Sequence, residues 1–214
     1  MKIIDLTAEI KEGVERSLVP IKIKENIYQG VIHKLVMSSM SGTYLDLPGH
    51  IQEFDNYLDA ANYPLEKLFW VPTTVIHLNR QGREREIKAE ELQATGISVK
   101  GKGLIIDTGW SPRSIDSPRV CFYGKEAIAW IISQGIELFI SDVYENHSDP
   151  QGIFVELFKA GISCVCIPVN LARISKPQVK ICVVPLKVAG AVQLPCRLLA
   201  IEEDAPPKKS PNRR

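Results

Sequence analysis

The sequence predicts an α/β fold, a single domain on a mixed central sheet, and three observations predict it. Short β-branched runs bounded by Gly, Pro and Asp recur along the chain, helical spacing alternates with them in the middle, and strands dominate both ends. Strand–helix alternation calls for parallel neighbours, whereas successive strands call for antiparallel ones, so the sheet is mixed. The 214 residues suffice for one sizeable core. We place the domain at residues 1–203 and read 204–214, basic and Pro-rich, as a disordered tail.

Taken in order, Lys2 to Leu6 reads as a short strand, Ile10 to Pro20 as irregular, and Val31 to Met40 as an apolar, β-branched strand. Leu58, Ala61, Leu65 and Leu68, interrupted by Pro64, predict two short helical turns between Phe54 and Phe69. Trp70 to Leu78 is a strand whose His77 reads as a hydrogen-bonded structural histidine. Glu84 to Lys88 is polar, and Ala89 to Ala94 forms a short helix before Gly96. Gly103 to Asp107 is a buried strand, followed by the turn Thr108-Gly109-Trp110 at the sheet edge that ligands prefer. Trp110 fits a pocket wall or the core equally well. Ala127, Ile128, Ile131 and Ile132 share one face of a helix over Lys125 to Gln134, stopped by Gly135. Leu138 to Ser141 is the next strand, and Asp142 to Gly152, with three carboxylates and His147, reads as a polar turn. A helix over Ile153 to Ala160 and strands over Ile162 to Val169, Val179 to Leu186 and Cys196 to Glu202 complete the chain.

Composition narrows the function classes. Hydrophobic content of 45% and charged content of 24% are ordinary for a soluble globular protein and favour neither disorder nor membrane insertion. A net charge of +1 offers no steering toward nucleic acid. Asp5 and Glu9 interrupt the only candidate leader, which gives the expectation of a cytoplasmic protein. Cys121, Cys164, Cys166, Cys182 and Cys196 are odd in number and sit mostly in apolar runs, so they read as buried free thiols.

The densest chemistry lies in Ser38 to His50, SSMSGTYLDLPGH. Gly42 can supply positive φ, Pro48 stiffens the exit, and a constrained loop can aim Asp46 and His50 into one cleft. A plain Asx-type turn with a surface histidine fits the same residues. Written as Met40-x-Gly42-Thr43-Tyr44-x-Asp46-x-Pro48-x-His50, the stretch resembles the H-x-G-T-H-x-D-x-P-x-H signature of the cyclase family that includes bacterial kynurenine formamidase. The likeness continues through Ile4-Asp5-Leu6, Leu104 to Trp110, Ala160-Gly161-Ile162, Asn170-Leu171, Pro185-Leu186, Pro195 and Arg197. It implies a swivelling β/α/β fold, assembly as a homo-oligomer (dimer or tetramer), and hydrolase-type chemistry at a zinc or manganese ion. It also implies that Asp46 is a metal-ligand position and His50 the proton-transfer residue.

The other ligand positions of that family fall on Met40, Tyr44, Phe154 and Cys166, and zinc sites are built from thiolate, imidazole and carboxylate. A lone carboxylate does not hold a catalytic zinc, so neither a family-type metal centre nor any other cofactor is expected. Two readings follow. In one, a diverged hydrolase or cyclase uses His50 as general acid/base assisted by Asp46, with Tyr44, Thr43 and Trp110 touching a small-molecule substrate. In the other, the protein has lost catalysis and binds a small molecule or a partner subunit, its former ligand positions relaxed into apolar packing. A third reading rebuilds a metal site from His147, Glu145 or Cys164.

Overall fold

A computed structural model describes residues 1–78, 80, 85–110, 121–146 and 148–204; His147 and the tail beyond Asp204 lie outside the described residues. The strands are β1 (Lys2–Asp5), β2 (Val14–Ile23), β3 (Asn26–Leu35), β4 (Tyr44–Asp46), β5 (Val71–His77), β6 (Glu86–Ile87), β7 (Gly103–Asp107), β8 (Phe122–Tyr123), β9 (Leu138–Ser141), β10 (Ser163–Cys166), β11 (Gln178–Pro185) and β12 (Gln193–Glu202). Helices α1 (Ala89–Ala94), α2 (Lys125–Ser133) and α3 (Ile153–Lys159) lie between the middle strands.

Eight strands form one mixed sheet in the order β1-β12-β11-β5-β7-β9-β10-β4, and β4 also pairs with β12, which gives a barrel-like closure. Strands β5, β7, β9 and β10 are parallel, as their helical connections require, while β11, β12, β1 and β4 pair antiparallel. Alternation along each strand separates two cores. Val75, Ile105, Ile140, Val165, Ile181 and Leu198 pack on one face, and Ile76, Ile106, Phe139 and Cys164 turn the other way against Ala127, Ile128, Ile131, Leu157 and Phe158 of the helices.

Most elements fall within a residue or two of the sequence reading, but the N-terminal quarter differs. Ile10 to Pro20 is not irregular throughout, and Val31 to Met40 is not one strand. Instead β2 and β3 form a ten-residue antiparallel hairpin, with Val14 opposite Leu35 and Ile23 opposite Asn26. Two things hide it in the sequence. Pro20, tolerated in a two-stranded ladder where one backbone edge faces solvent, reads as a break, and the turn places Lys24 rather than glycine at φ 51°. The polar segment near Glu84 to Lys88 also holds a strand, β6, paired with β8. The strand expected over Ile162 to Val169 stops at Cys166 because Ile167 adopts φ 54° and Pro168 follows.

All five cysteines are free and buried, and no described helix is long and apolar enough to cross a membrane. One polar side chain ties two neighbouring parallel strands, β9 and β10, into a unit. The Tyr144 hydroxyl receives the Ser141 N–H at 3.1 Å and reaches the Phe139 and Val165 carbonyls at 3.0 and 2.9 Å. Tyr144→Phe would keep the packing and strand these buried groups. We expect it to lower stability by about 1–3 kcal/mol in urea unfolding, with the fold retained.

Candidate functional site

The site grows from the turn that precedes β4. Gly42 takes φ +64°, and a Cβ there would stand 2.8 Å from Ile10 Cγ1 and 3.0 Å from the Ala8 carbonyl oxygen, so the left-handed bend and the close approach both demand glycine. The next residue fixes the bend. The Thr43 hydroxyl donates to the Ile167 carbonyl at 2.6 Å and accepts the Ala8 N–H at 2.8 Å, binding three segments of chain. Tyr44 to Asp46 then runs as a strand between β10 and β12, with Asp46 facing Cys164 on one side and Gln193 on the other. A short 3-10 turn, Pro48–His50, carries the chain to His50, with the proline at its start.

His50 lines a surface cleft of about 690 Å³, and the buried Asp46 stands beside it. The Asp46 side chain is only 4% exposed, the His50 side chain 44%, and Asp46 Oδ1 lies 3.9 Å from His50 Nδ1. That oxygen is buried and has no hydrogen-bond partner. The carboxyl does bond Gln193, whose Oε1 accepts the Ser39 hydroxyl at 2.9 Å. Burial dominates, and it pushes the Asp46 carboxyl up to about 7. Partial burial pushes the His50 imidazole below its ordinary value, so the ring is neutral at neutral pH. The edge of Phe158 lies against the imidazole in a T-shaped contact at 6.4 Å. The pair therefore offers a neutral imidazole exposed to the cleft, backed by a carboxyl that titrates near neutrality.

Of the catalytic and substrate-binding candidates named from the sequence, His50 alone lines this cleft, beside Gln193, Ser39 and an apolar wall that includes Leu186 and Pro195. Tyr44 is buried in the helix-side core. Trp110 packs at the edge of that core, its backbone N–H held at 2.9 Å by Asp142 Oδ2, which also accepts the Thr108 hydroxyl at 2.9 Å. His77 bonds Asp107 at 2.7 Å and the Ile174 carbonyl at 3.1 Å, a strand histidine held from both ends. Gln193 was not legible from sequence: it precedes the apolar run that marks its strand, and no spacing signals an amide there.

Three of the ligand positions implied by resemblance, Tyr44, Phe154 and Cys166, fall in one packed cluster of hydrocarbon and aromatic rings. Phe154 stacks on Tyr144 at 5.0 Å and leans on Phe158 at 5.7 Å, and Tyr44 and Cys166 belong to the same packed cluster. Met40 is exposed on the turn before β4. A phenylalanine has no donor atom, a thioether is a poor ligand for zinc or manganese, and these residues do not fit such an ion. Of the relocated site, His147 lies outside the described residues, and the other two are engaged elsewhere. Glu145 accepts the Gln151 and Ile153 N–H groups at 2.6 and 2.7 Å and so starts α3, while burial holds the Cys164 thiol far above its ordinary range. Among the described residues no three His, Cys, Asp or Glu side chains form a metal-sized cluster.

Comparison with known proteins agrees with this architecture. The Cyclase family model matches residues 4–146, and the chain belongs to that family. Among solved structures, a predicted metal-dependent hydrolase from Bacillus stearothermophilus superposes with a TM-score of 0.67 at 20% identity, covering 93% of this chain and 97% of that one. A potential metal-dependent hydrolase with cyclase activity gives 0.72 at 20% identity, covering 95% and 99%. Isatin hydrolase A from Ralstonia solanacearum gives 0.72 at 18% identity, covering 94% and 92%. No curated protein matches the sequence.

The raised carboxyl makes a stability prediction. The folded state holds the Asp46 proton more tightly than the unfolded chain, about 7 against 3.8. Its favourable contribution is therefore full below pH 3.8 and is lost as the pH rises through 7. Asn cannot ionise. We expect Asp46→Asn to match the native protein at pH 4 and to exceed it by roughly 2–4 kcal/mol at pH 8 in urea titrations; equal stability at both pH values would contradict the burial of an ionising group.

Proposed function

We propose that this family member performs hydrolase- or cyclase-type chemistry on a neutral small molecule by metal-independent acid–base catalysis. His50 is the catalytic residue and Asp46 its positioning partner. One observation carries the reading: the buried Asp46 oxygen that lacks a partner is the one nearest His50 Nδ1, and the imidazole beyond it lines an open cleft. A buried carboxyl without its full set of hydrogen bonds costs stability, and a single torsional adjustment of His50 satisfies it. The imidazole then takes a proton from an attacking hydroxyl or water as Asp46 stabilises the imidazolium, and returns it to the leaving group. The 3.9 Å separation exceeds a hydrogen bond, and such contacts commonly tighten only when substrate binds. Gln193 and Ser39 line the same cleft and would offer an amide and a hydroxyl to a substrate that displaces their mutual bond. Among the described residues no lysine or arginine lines the cleft, which favours a ligand without a phosphate or carboxylate.

General acid–base catalysis supplies about 10²- to 10⁴-fold, which suits a strained cyclic amide, an activated ester or an intramolecular closure better than an unactivated amide. The fold likeness to isatin hydrolases makes isatin a rational first substrate, with p-nitrophenyl acetate beside it. We expect turnover that persists in EDTA, rises with pH through about 7 as the dyad loses its proton, and falls about 10²- to 10⁴-fold in His50→Ala. In Asp46→Asn the rising limb should move to lower pH, where His50 alone titrates. Turnover abolished by EDTA and restored by zinc would overturn the proposal.

A second reading, binding without turnover, draws on the aromatic stack of Tyr144, Phe154 and Phe158 behind His50. It predicts ligand affinity in His50→Ala equal to that of the native protein and no turnover in either.

A further inference from the structure

Gln193 joins the open cleft to the buried carboxyl, and it is held from two sides. It stands directly across from Asp46 in the β4–β12 pair, next to Val192, whose carbonyl accepts the Leu47 N–H at 2.9 Å. Facing it, Ser39 sits on a short turn in which the Met40 N–H bonds the Ser38 hydroxyl at 3.2 Å and the Ser41 N–H the Ser38 carbonyl at 3.1 Å. The Ser39 hydroxyl donates to Gln193 Oε1 at 2.9 Å, across 154 residues of chain.

A carboxamide carries its acceptor and its donors on one planar group, so fixing one end fixes the other. With Oε1 held by Ser39, the NH2 group faces Asp46, and its bond favours the ionised carboxyl, as a donated N–H does. Asp46 Oδ1 has no partner. The amide therefore holds Oδ2 and leaves Oδ1 turned toward His50 Nδ1, 3.9 Å away. Without Ser39 the amide can present either its oxygen or its nitrogen, and the carboxyl is free to rotate. On the other side of β4 stands Cys164, a buried thiol, and the ring of Phe158 against His50 offers no acceptor; neither can replace the amide.

We propose that Ser39 and Gln193 are positioning residues, a clamp that sets the tautomer of His50 by keeping its proton on Nδ1 and the lone pair of Nε2 toward the cleft. A neutral imidazole has one N–H and one bare nitrogen, and the partner at each edge decides which is which. An ionised carboxylate only accepts, so the edge that meets Oδ1 carries the proton. Nε2 is then the base. The clamp names the reacting atom of the acid–base proposal and rests on that reading for its use, though not for its test. It presets the ring before a ligand arrives, and a ligand that brings its own donor to Gln193 Oε1 in place of Ser39 leaves the amide facing the same way.

Long-range ¹H–¹⁵N correlation spectra of the labelled full chain at about pH 8.5 read the tautomer, the His50 ring being assigned among the four histidines by its loss in His50→Asn. At that pH the carboxyl is ionised and the ring neutral. In the native protein Nδ1 should resonate as the protonated nitrogen and Nε2 as the bare one. Ser39→Ala and Gln193→Met should each shift the ring toward the Nε2–H form that an unpartnered imidazole favours. Ser39→Thr, which keeps the hydroxyl, should keep the native pattern. Ser39 is exposed, so its replacement leaves the core intact, and unchanged backbone amide signals away from the cleft check this. A native ring protonated on Nε2, or a native pattern that survives in Ser39→Ala or in Gln193→Met, would overturn the clamp. The spectra need no substrate, so the two proposals fail separately. A ring that follows the variants in a protein without turnover sinks the catalysis alone, and turnover beside a ring that ignores them sinks the clamp alone.

Discussion

The structure depends on the pairing of one three-residue strand. Tyr44–Asp46 hydrogen-bonds to β10 on one side and β12 on the other, and without it the sheet would end in two open edges. Unpaired edges carry rows of unsatisfied N–H and C=O groups that invite association. Closing them with so short a strand requires that it be aimed from outside, and the Gly42 bend and the Thr43 hydroxyl do this. Alternation then sends Leu45 to one core and Tyr44 to the other, and leaves Asp46 at the strand's end beside the cleft. Fold closure and site geometry are therefore set by the same few residues.

That economy has an electrostatic cost. A carboxyl at the end of a closing strand is shielded by its neighbours on both sides, and Cys164 and Gln193 give it little compensation. Burial outweighs the single hydrogen bond from Gln193. The group responds by holding its proton. Under the acid–base proposal, a carboxyl and an imidazole whose surroundings drive both toward neutrality would give or take one proton near pH 7.

Much of this was legible in the sequence, and the reasons are physical. The buried parallel strands Gly103–Asp107 and Leu138–Ser141 announce themselves as apolar runs between turn residues, and α2 by its four-residue apolar face. The hairpin did not, because its apolar residues face both ways and give no alternation, and because its turn uses Lys24 in a conformation usually left to glycine or asparagine. The site was legible in part. Asp46 and His50 stand out by residue type and by family resemblance, and Phe154, which has no donor atom, can be read at a family ligand position. The partnership with Gln193 depends on a register between strands about 150 residues apart, and Thr43's engagement depends on where Ile167 turns. Neither follows from local pattern.

The five cysteines have a practical consequence. Each is sealed in the interior, several with thiols that burial holds above the range in which thiolate forms, so the folded chain presents a surface without a reactive sulfur. A cysteine introduced at any exposed position would be the sole thiol open to a spin label, a fluorophore or a crosslinker. Distances across this molecule can thus be measured in solution on the otherwise native sequence.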